Sequence, residues 1–377
     1  MVRIHQRAPL LTPLPTPLRP VITACLLAGV TLLLYGYGLS SAPVGEQESQ
    51  ILQAARGSGP LYFQVAPDRY LQPIPVYAAA AMRAVGGGDQ SARLASVLVA
   101  SLNVGLIFLG ARRLFDSRLA IALAPLLLLV TPAHIAFGRS GTDAVFSIPF
   151  AVLWLLAMQR FWQSDTAISI AAAGAALGAG IYANASAPLT MGVLLVVGVI
   201  SLVSGGRAWR SVAIMLAAFG ALLIPAATWF ALHPETYPDT FGRWAIHLAH
   251  VRNPLDGMRA FFNWNTLGNR ASLYWGFLDP SWLFFGNRLM LVMLPLLMLG
   301  VGMGRRALAR HSMILVGGGA LVAPLAGSSF GAPHYAADAL VFLPFAILLM
   351  AAGAAGLQHG LTAPRRTYRS ADTAPAG

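Results

Sequence analysis

Glu46 and Glu48 stand in Gly45-Glu46-Gln47-Glu48-Ser49, just after the first long apolar run. A carboxylate held at a membrane surface can take a proton from a substrate whose partner is embedded in lipid. The pair equally suits solvated interface residues, or acids opening a helix where the macrodipole favours negative charge. A helical stretch is expected to follow through Ile51, Leu52, Ala54 and Ala55. Arg139 and Asp143 lie in Phe137-Gly138-Arg139-Ser140-Gly141-Thr142-Asp143, between the third and fourth apolar runs. Arginine suits a phosphate, because its planar fork donates two parallel charged hydrogen bonds, and Asp143 would orient such a site. A local ion pair, or a helix cap made by Asp143, is the plainer alternative. His134, His233, His247, His250 and His334 fall on the same side of the chain's apolar runs. His247 and His250 can share a helix face, yet interface histidines are common and a divalent metal finds no support in the sequence. Cys25 is the one cysteine, so neither an intramolecular disulfide nor a cysteine metal site is available. The sequence assigns no certain cofactor and leaves a divalent metal open.

The elements that must hold these residues are membrane spans. Hydrophobic residues make up 57% of the 377-residue chain and charged ones 10%, and the mean hydropathy is +0.66. A chain so poor in charge cannot cover its own surface with polar groups, so its solvent is lipid. The net charge of +12 comes with no lysine at all. The arginines sit in short clusters between apolar runs, which is the pattern of topology determinants and not of a nucleic-acid surface. Any cation the chemistry needs must come from arginine.

A span needs roughly 20 mostly apolar residues, and about ten segments meet that description. They lie at about 21–39, 93–111, 119–136, 143–160, 168–183, 187–204, 211–232, 288–304, 312–327 and 338–357. The first reads as an uncleaved span, being longer than the apolar core of a signal peptide. With the N-terminus inside, the loops at Arg112–Arg118, Arg160, Arg207–Arg210 and Arg305–Arg310 are internal, as is the tail with Arg365, Arg366 and Arg369. These are short and basic, as the positive-inside rule asks. The expected organisation is a cytoplasmic tail over 1–19, a transmembrane domain over 20–357 and a disordered cytoplasmic tail over 358–377. Two long outer segments fall at about 40–92 and 233–287. The second interleaves Phe241, Trp244, Phe261, Phe262, Trp264, Tyr274, Trp275, Phe277, Trp282, Phe284 and Phe285 with Arg243, Arg252, Arg259 and Arg270. Such a mixture suits helices in the headgroup layer, or the lining of a cavity for an amphiphile. The span centres hold essentially no ionisable residue, which argues against an ion-coupled carrier.

The acid pair is followed by Gln72-Pro73-Ile74-Pro75-Val76-Tyr77, Gly86-Gly87-Gly88 and Ser91-Ala92-Arg93-Leu94-Ala95-Ser96-Val97. Then come Arg112-Arg113-Leu114-Phe115, the Arg139 to Asp143 turn, and Phe277-Leu278-Asp279-Pro280-Ser281-Trp282-Leu283-Phe284-Phe285. In that order, from about residue 20 to 357, the chain resembles the GT-C glycosyltransferases of the protein O-mannosyltransferase and aminoarabinose–lipid A transferase branch. The resemblance implies an all-α, polytopic GT-C-like fold in a bacterial inner membrane. It implies transfer of a sugar from a polyprenyl-phosphate carrier to a glycan, lipid or protein acceptor on the outer face, with inversion. It places the catalytic base on Glu46 or Glu48, with Glu46 favoured, and a second acid on Asp143. The family's Asp-Glu pair reads Glu46-Gln47-Glu48 here, its Lys-Pro-Pro reads Gln72-Pro73-Ile74, and a later lysine falls around Asn184. Arg69, Arg139, Arg270 or Arg288 would then bind the phosphate. These departures leave open a catalytically silent GT-C-like scaffold or lipid-binding subunit.

Overall fold

The computed structural model describes residues 18–41, 43–57, 59, 61–66, 69–236, 256, 259, 264–329 and 336–362. Each expected apolar segment forms helix. α1 spans Leu18–Gly36, and α2, Glu46–Ala54, follows it as a short polar helix. A two-stranded antiparallel hairpin, β1 (Phe63–Ala66) and β2 (Arg69–Leu71), comes next, with Phe63 opposite Leu71 and Gln64 opposite Tyr70. α3 (Pro73–Met82) opens on a proline, whose missing N–H costs nothing at a helix start. α4 (Ser91–Leu114) ends on Arg112 and Arg113, cations that suit the negative end of the helix dipole.

α5 (Arg118–Val130) and α6 (Pro132–Gly138) replace the single span expected over 119–136. They meet at 56°. Thr131 precedes Pro132 and adopts extended backbone, φ −68 and ψ 120, as the proline ring demands of its neighbour. The break turns α6 away from the axis of α5. α7 (Ile148–Ser164), α8 (Ala167–Gly180), α9 (Ala187–Ser204) and α10 (Trp209–Leu232) follow in short connections. α11 (Trp264–Leu278) lies within the second long segment, and beyond it come α12 (Met293–Ala307), α13 (Arg310–Val322), α14 (Pro324–Ser329) and α15 (Phe342–Thr362). Among the described residues, six helices are long and apolar enough to cross a bilayer, or seven if the bent pair counts as one span. α8 and the stretch Phe342–Gln358 of α15 are shorter apolar helices. The protein is therefore a multi-pass membrane protein.

α4 packs on α1, α3, α5 and α7, and α15 packs on α12, α5 and α13. Lipid gives helices no hydrophobic reason to associate, so close backbone approach must supply the attraction. Gly300 of α12 and Gly353 of α15 provide it: a methyl at Gly300 would meet the Leu349 carbonyl, and one at Gly353 the Gly300 amide. At the other extreme, α1 and α10 bury little and present Leu33 (76% exposed) and Ile224 (62% exposed) outward to lipid.

Candidate active site

α2 begins directly after Gly45, with Glu46 and Glu48 in its first turn, where the unpaired backbone N–H groups favour acids. The two glutamates then part company. Glu46 is exposed, accepts a hydrogen bond from Gln50 Nε2 at 3.1 Å, and its carbonyl accepts one from Ser49 Oγ. Glu48 points inward and is 1% exposed. Its Oε1 accepts from Arg93 Nε at 2.6 Å and its Oε2 from Arg93 Nη2 at 2.9 Å, a bidentate pair. Arg93 is 2% exposed and also donates to the carbonyls of Leu39 and Pro43. One guanidinium in the first turn of α4 thus holds the end of α1, the connection after it, and α2.

The turn from Arg139 to Asp143 lies against this pair. Gly141 has φ +67, a left-handed conformation that glycine adopts freely. An added Cβ there would come within 2.9 Å of Glu48 Cγ and 3.2 Å of Arg93 Cγ. The Thr142 carbonyl accepts from Ser96 Oγ of α4 at 3.0 Å, and the Ser140 and Thr142 hydroxyls are 2.8 Å apart. Asp143 occupies the position before a short 3-10 turn at Ala144–Ser147, but its carboxylate makes no cap bond there. It accepts from Gln47 Nε2 of α2 at 2.8 Å instead. Arg139 Nη2 donates to the Gly38 carbonyl at 3.4 Å. Glu46, Gln47, Asp143 and Arg139 therefore belong to one cluster at the α2 end of the bundle, roofing the buried Glu48–Arg93 pair.

The other expected cations are dispersed. Arg69 opens β2, and its side chain lies outside the described residues. Arg270 of α11 is buried and its Nη1 donates to the Ser329 carbonyl at 2.8 Å, tying α11 to α14. Arg288 stacks its guanidinium 5.0 Å from the Trp282 ring centroid and donates to the Gly286 carbonyl. Its own carbonyl accepts from Ala133 N at 3.3 Å, which fixes it beside the first turn of α6. α6 leads from there to the Arg139–Asp143 turn.

Gln72, where the resemblance places a lysine, precedes α3 with its Oε1 buried and no partner. Asn184 is buried and accepts from Ser186 Oγ. His134 is buried, with Nδ1 3.0 Å from the Tyr35 hydroxyl, and His233 stacks on Trp229 at 4.4 Å. His247, His250 and His334 lie outside the described residues, as do Phe241, Trp244, Phe261, Phe262, Arg243 and Arg252 of the 233–287 segment and the ends of both tails. Among the described residues no three His, Cys, Asp or Glu side chains gather as a metal site would need. Tyr62 fits between Trp229 and Phe230, at 4.7 and 5.4 Å, and anchors the hairpin to the end of α10. Burial there, reinforced by Tyr182, pushes the Tyr62 phenol well above its ordinary pKa, so it stays neutral.

Arg93, Gln47 and Gly141 carry no role in the residue-by-residue reading. Arg93 had a signal: an arginine inside the first turn of an apolar helix needs a buried counter-charge.

Residues 71–230 match the sequence model of the dolichyl-phosphate-mannose-protein mannosyltransferase family. No curated protein matches the sequence. Among solved structures, the chain is similar to the crystal structure of ArnT from Cupriavidus metallidurans bound to undecaprenyl phosphate, with a TM-score of 0.58 and 20% identity. The fold is GT-C. The same similarity holds for ArnT in the apo state, again with a TM-score of 0.58 and 20% identity. Each superposition covers 90% of this chain but 60% of ArnT, so the GT-C fold is shared while the chain spans well under two thirds of that protein. The matched residues run from β2 through the end of α10, and so include Arg93, Arg139 and Asp143 but not the acid pair.

Proposed function

We propose that the protein is a membrane glycosyltransferase that takes a sugar from a polyprenyl-phosphate donor and passes it to a hydroxyl acceptor. The reading rests on one observation above all. The Gln47–Asp143 hydrogen bond and the Glu48–Arg93 pair lay the first turn of α2 over the Arg139–Asp143 turn, gathering acids and an arginine at one end of a lipid-facing bundle. ArnT, with the same fold, binds undecaprenyl phosphate, which supports a donor of that chemistry. Glu46 serves as base because it is the exposed acid of the pair. Glu48 is committed to Arg93 and serves to position α2. Asp143, held by Gln47, orients the acceptor beside it.

Glu46 removes the proton from the acceptor hydroxyl as its oxygen attacks the anomeric carbon from the face opposite the phosphate. The new carbon–oxygen bond forms, the sugar–phosphate bond breaks, and its electrons leave with the polyprenyl phosphate, so configuration inverts. An arginine at this end meets the charge that develops on the departing phosphate. The chemistry takes place on the outer face of a bacterial inner membrane, with both termini cytoplasmic, as the arginine distribution supports. The acceptor is a glycan, a lipid or a protein. Transfer of labelled sugar from membrane-extracted polyprenyl-phosphate donors, by wild type and by Glu46→Gln and Asp143→Asn, tests this reading. Loss of transfer in folded Glu46→Gln is the expected result. Full activity in that variant overturns the mechanism, and no turnover with any donor in the presence of envelope acceptors leaves a scaffold.

A further inference from the structure

At the end of the bundle opposite the acid cluster, two arginines are held together. Arg113 follows Arg93 along α4 by roughly 30 Å of helical rise, the thickness of a bilayer's hydrocarbon, so it stands at the far boundary. α7 starts just after the Asp143 turn and reaches the same boundary near Arg160. Arg113 does not extend into water. Its Nη1 donates to the Leu156 carbonyl of α7 at 2.8 Å, one helical turn inside Arg160, and the guanidinium feels the Arg160 charge. Both arginines are exposed, and no acid among the described residues pairs with either. The Nε and Nη2 of Arg113, the edge that meets a phosphate bidentately, have no partner among the described residues. Arg207, at the start of α10, shows the satisfied alternative: it pairs with Asp165 at 3.0 Å and stacks over Trp162. Two like charges fixed side by side repel unless an anion lies between them.

We propose that Arg113 and Arg160 bind the phosphodiester of an anionic phospholipid of the phosphatidylglycerol class, in the leaflet opposite the acid cluster. The site is remote from the transfer chemistry and stands whether or not the protein is an enzyme. Three observations select a lipid as the anion. The arginines lie at headgroup depth, because Arg113 folds back onto α7 from the end of its helix. The flanks of the seam are apolar: Leu102, on the Arg113 face of α4, and Leu153, on the Arg160 face of α7, are 47% and 40% exposed, so acyl chains can lie along both helices. The chain's own C-terminal segment is a poor source of the anion. α15 reaches this end, where Gln358 accepts from Ser117 Oγ at 2.6 Å, but the residues after it set Arg365, Arg366 and Arg369 against Asp372 alone. Phosphatidylethanolamine carries the same phosphodiester with an ammonium beside it, which the two guanidinium groups repel.

Native mass spectrometry and thermal unfolding of the full chain in neutral detergent would compare phosphatidylglycerol, phosphatidylethanolamine and inorganic phosphate. Phosphatidylglycerol should be retained and raise the melting temperature of wild type, and the other two should do neither. Arg160→Gln decides the matter, because its side chain makes no bond among the described residues whose loss would itself unfold the protein. It should weaken phosphatidylglycerol by about fivefold and remove most of the thermal shift. Arg113→Gln should weaken the lipid equally, whatever it does to the fold through the Leu156 carbonyl. Arg112→Gln, the same change of charge on another face of α4, should bind as wild type. Unchanged phosphatidylglycerol binding in Arg160→Gln overturns the site. So does equal weakening by Arg112→Gln, which would mark a diffuse basic surface. Retention of phosphatidylethanolamine or inorganic phosphate as tight as that of phosphatidylglycerol overturns the assignment to an anionic lipid.

Discussion

Two glutamates in one helical turn carry the same chemistry in sequence and different chemistry in space, because a helix turns their side chains some 200° apart at 100° per residue. Glu46 faces out, and its replacement by Gln keeps the fold while removing the proton acceptor. The expected loss in kcat is about 10²- to 10⁴-fold, with unchanged melting, measured by transfer and thermal unfolding side by side. Glu48→Gln behaves oppositely. It leaves Arg93 buried without its counter-charge, a loss of about 3–5 kcal/mol that should appear as a lowered melting temperature. Gly141→Ala should also destabilise, by about 1–3 kcal/mol, since it both strains a positive φ and meets Glu48. The acids and the Arg139–Asp143 turn were legible as residue types at a membrane exit. Their division of labour was not, because the partner that separates them, Arg93, lies 45 residues from Glu48 and no local spacing encodes it.

Apolar runs of lipid-facing composition announce helices plainly, and the segments at 187–204 and 211–232 coincide closely with α9 and α10. The third span is where that reading falls short. Hydropathy continues through 119–136, while Pro132 breaks the backbone after Thr131, so composition and geometry disagree. The bend matters because it sets the first turn of α6 beside Arg288, and α6 then leads to the Arg139–Asp143 turn. At the α12–α15 contact the decisive feature is the absence of side chains at Gly300 and Gly353. Gly300→Leu should wedge these helices apart and lower the melting temperature in detergent, more than Gly302→Leu, where no atom lies within 4 Å of an added Cβ.

Across the whole molecule, the arginine-rich connections gather at one end and the acid cluster at the other. Engineered cysteines at Asp89 and Arg305 should therefore react with an impermeant maleimide from opposite faces of sealed vesicles. Labelling of both from one face would overturn the orientation. Cys25, exposed within the apolar α1, should stay unlabelled from either side. The Arg93 clamp also bears on how the chain is made. Arg93 emerges at the head of a span, where an isolated charge resists partition into lipid. Among the described residues, its neutralising carboxylate and the carbonyls that accept from it belong to residues synthesised earlier, Glu48, Leu39 and Pro43. Membrane integration of α4 should thus depend on α2 having already reached the far surface, so that Glu48 acts on biogenesis before any substrate arrives.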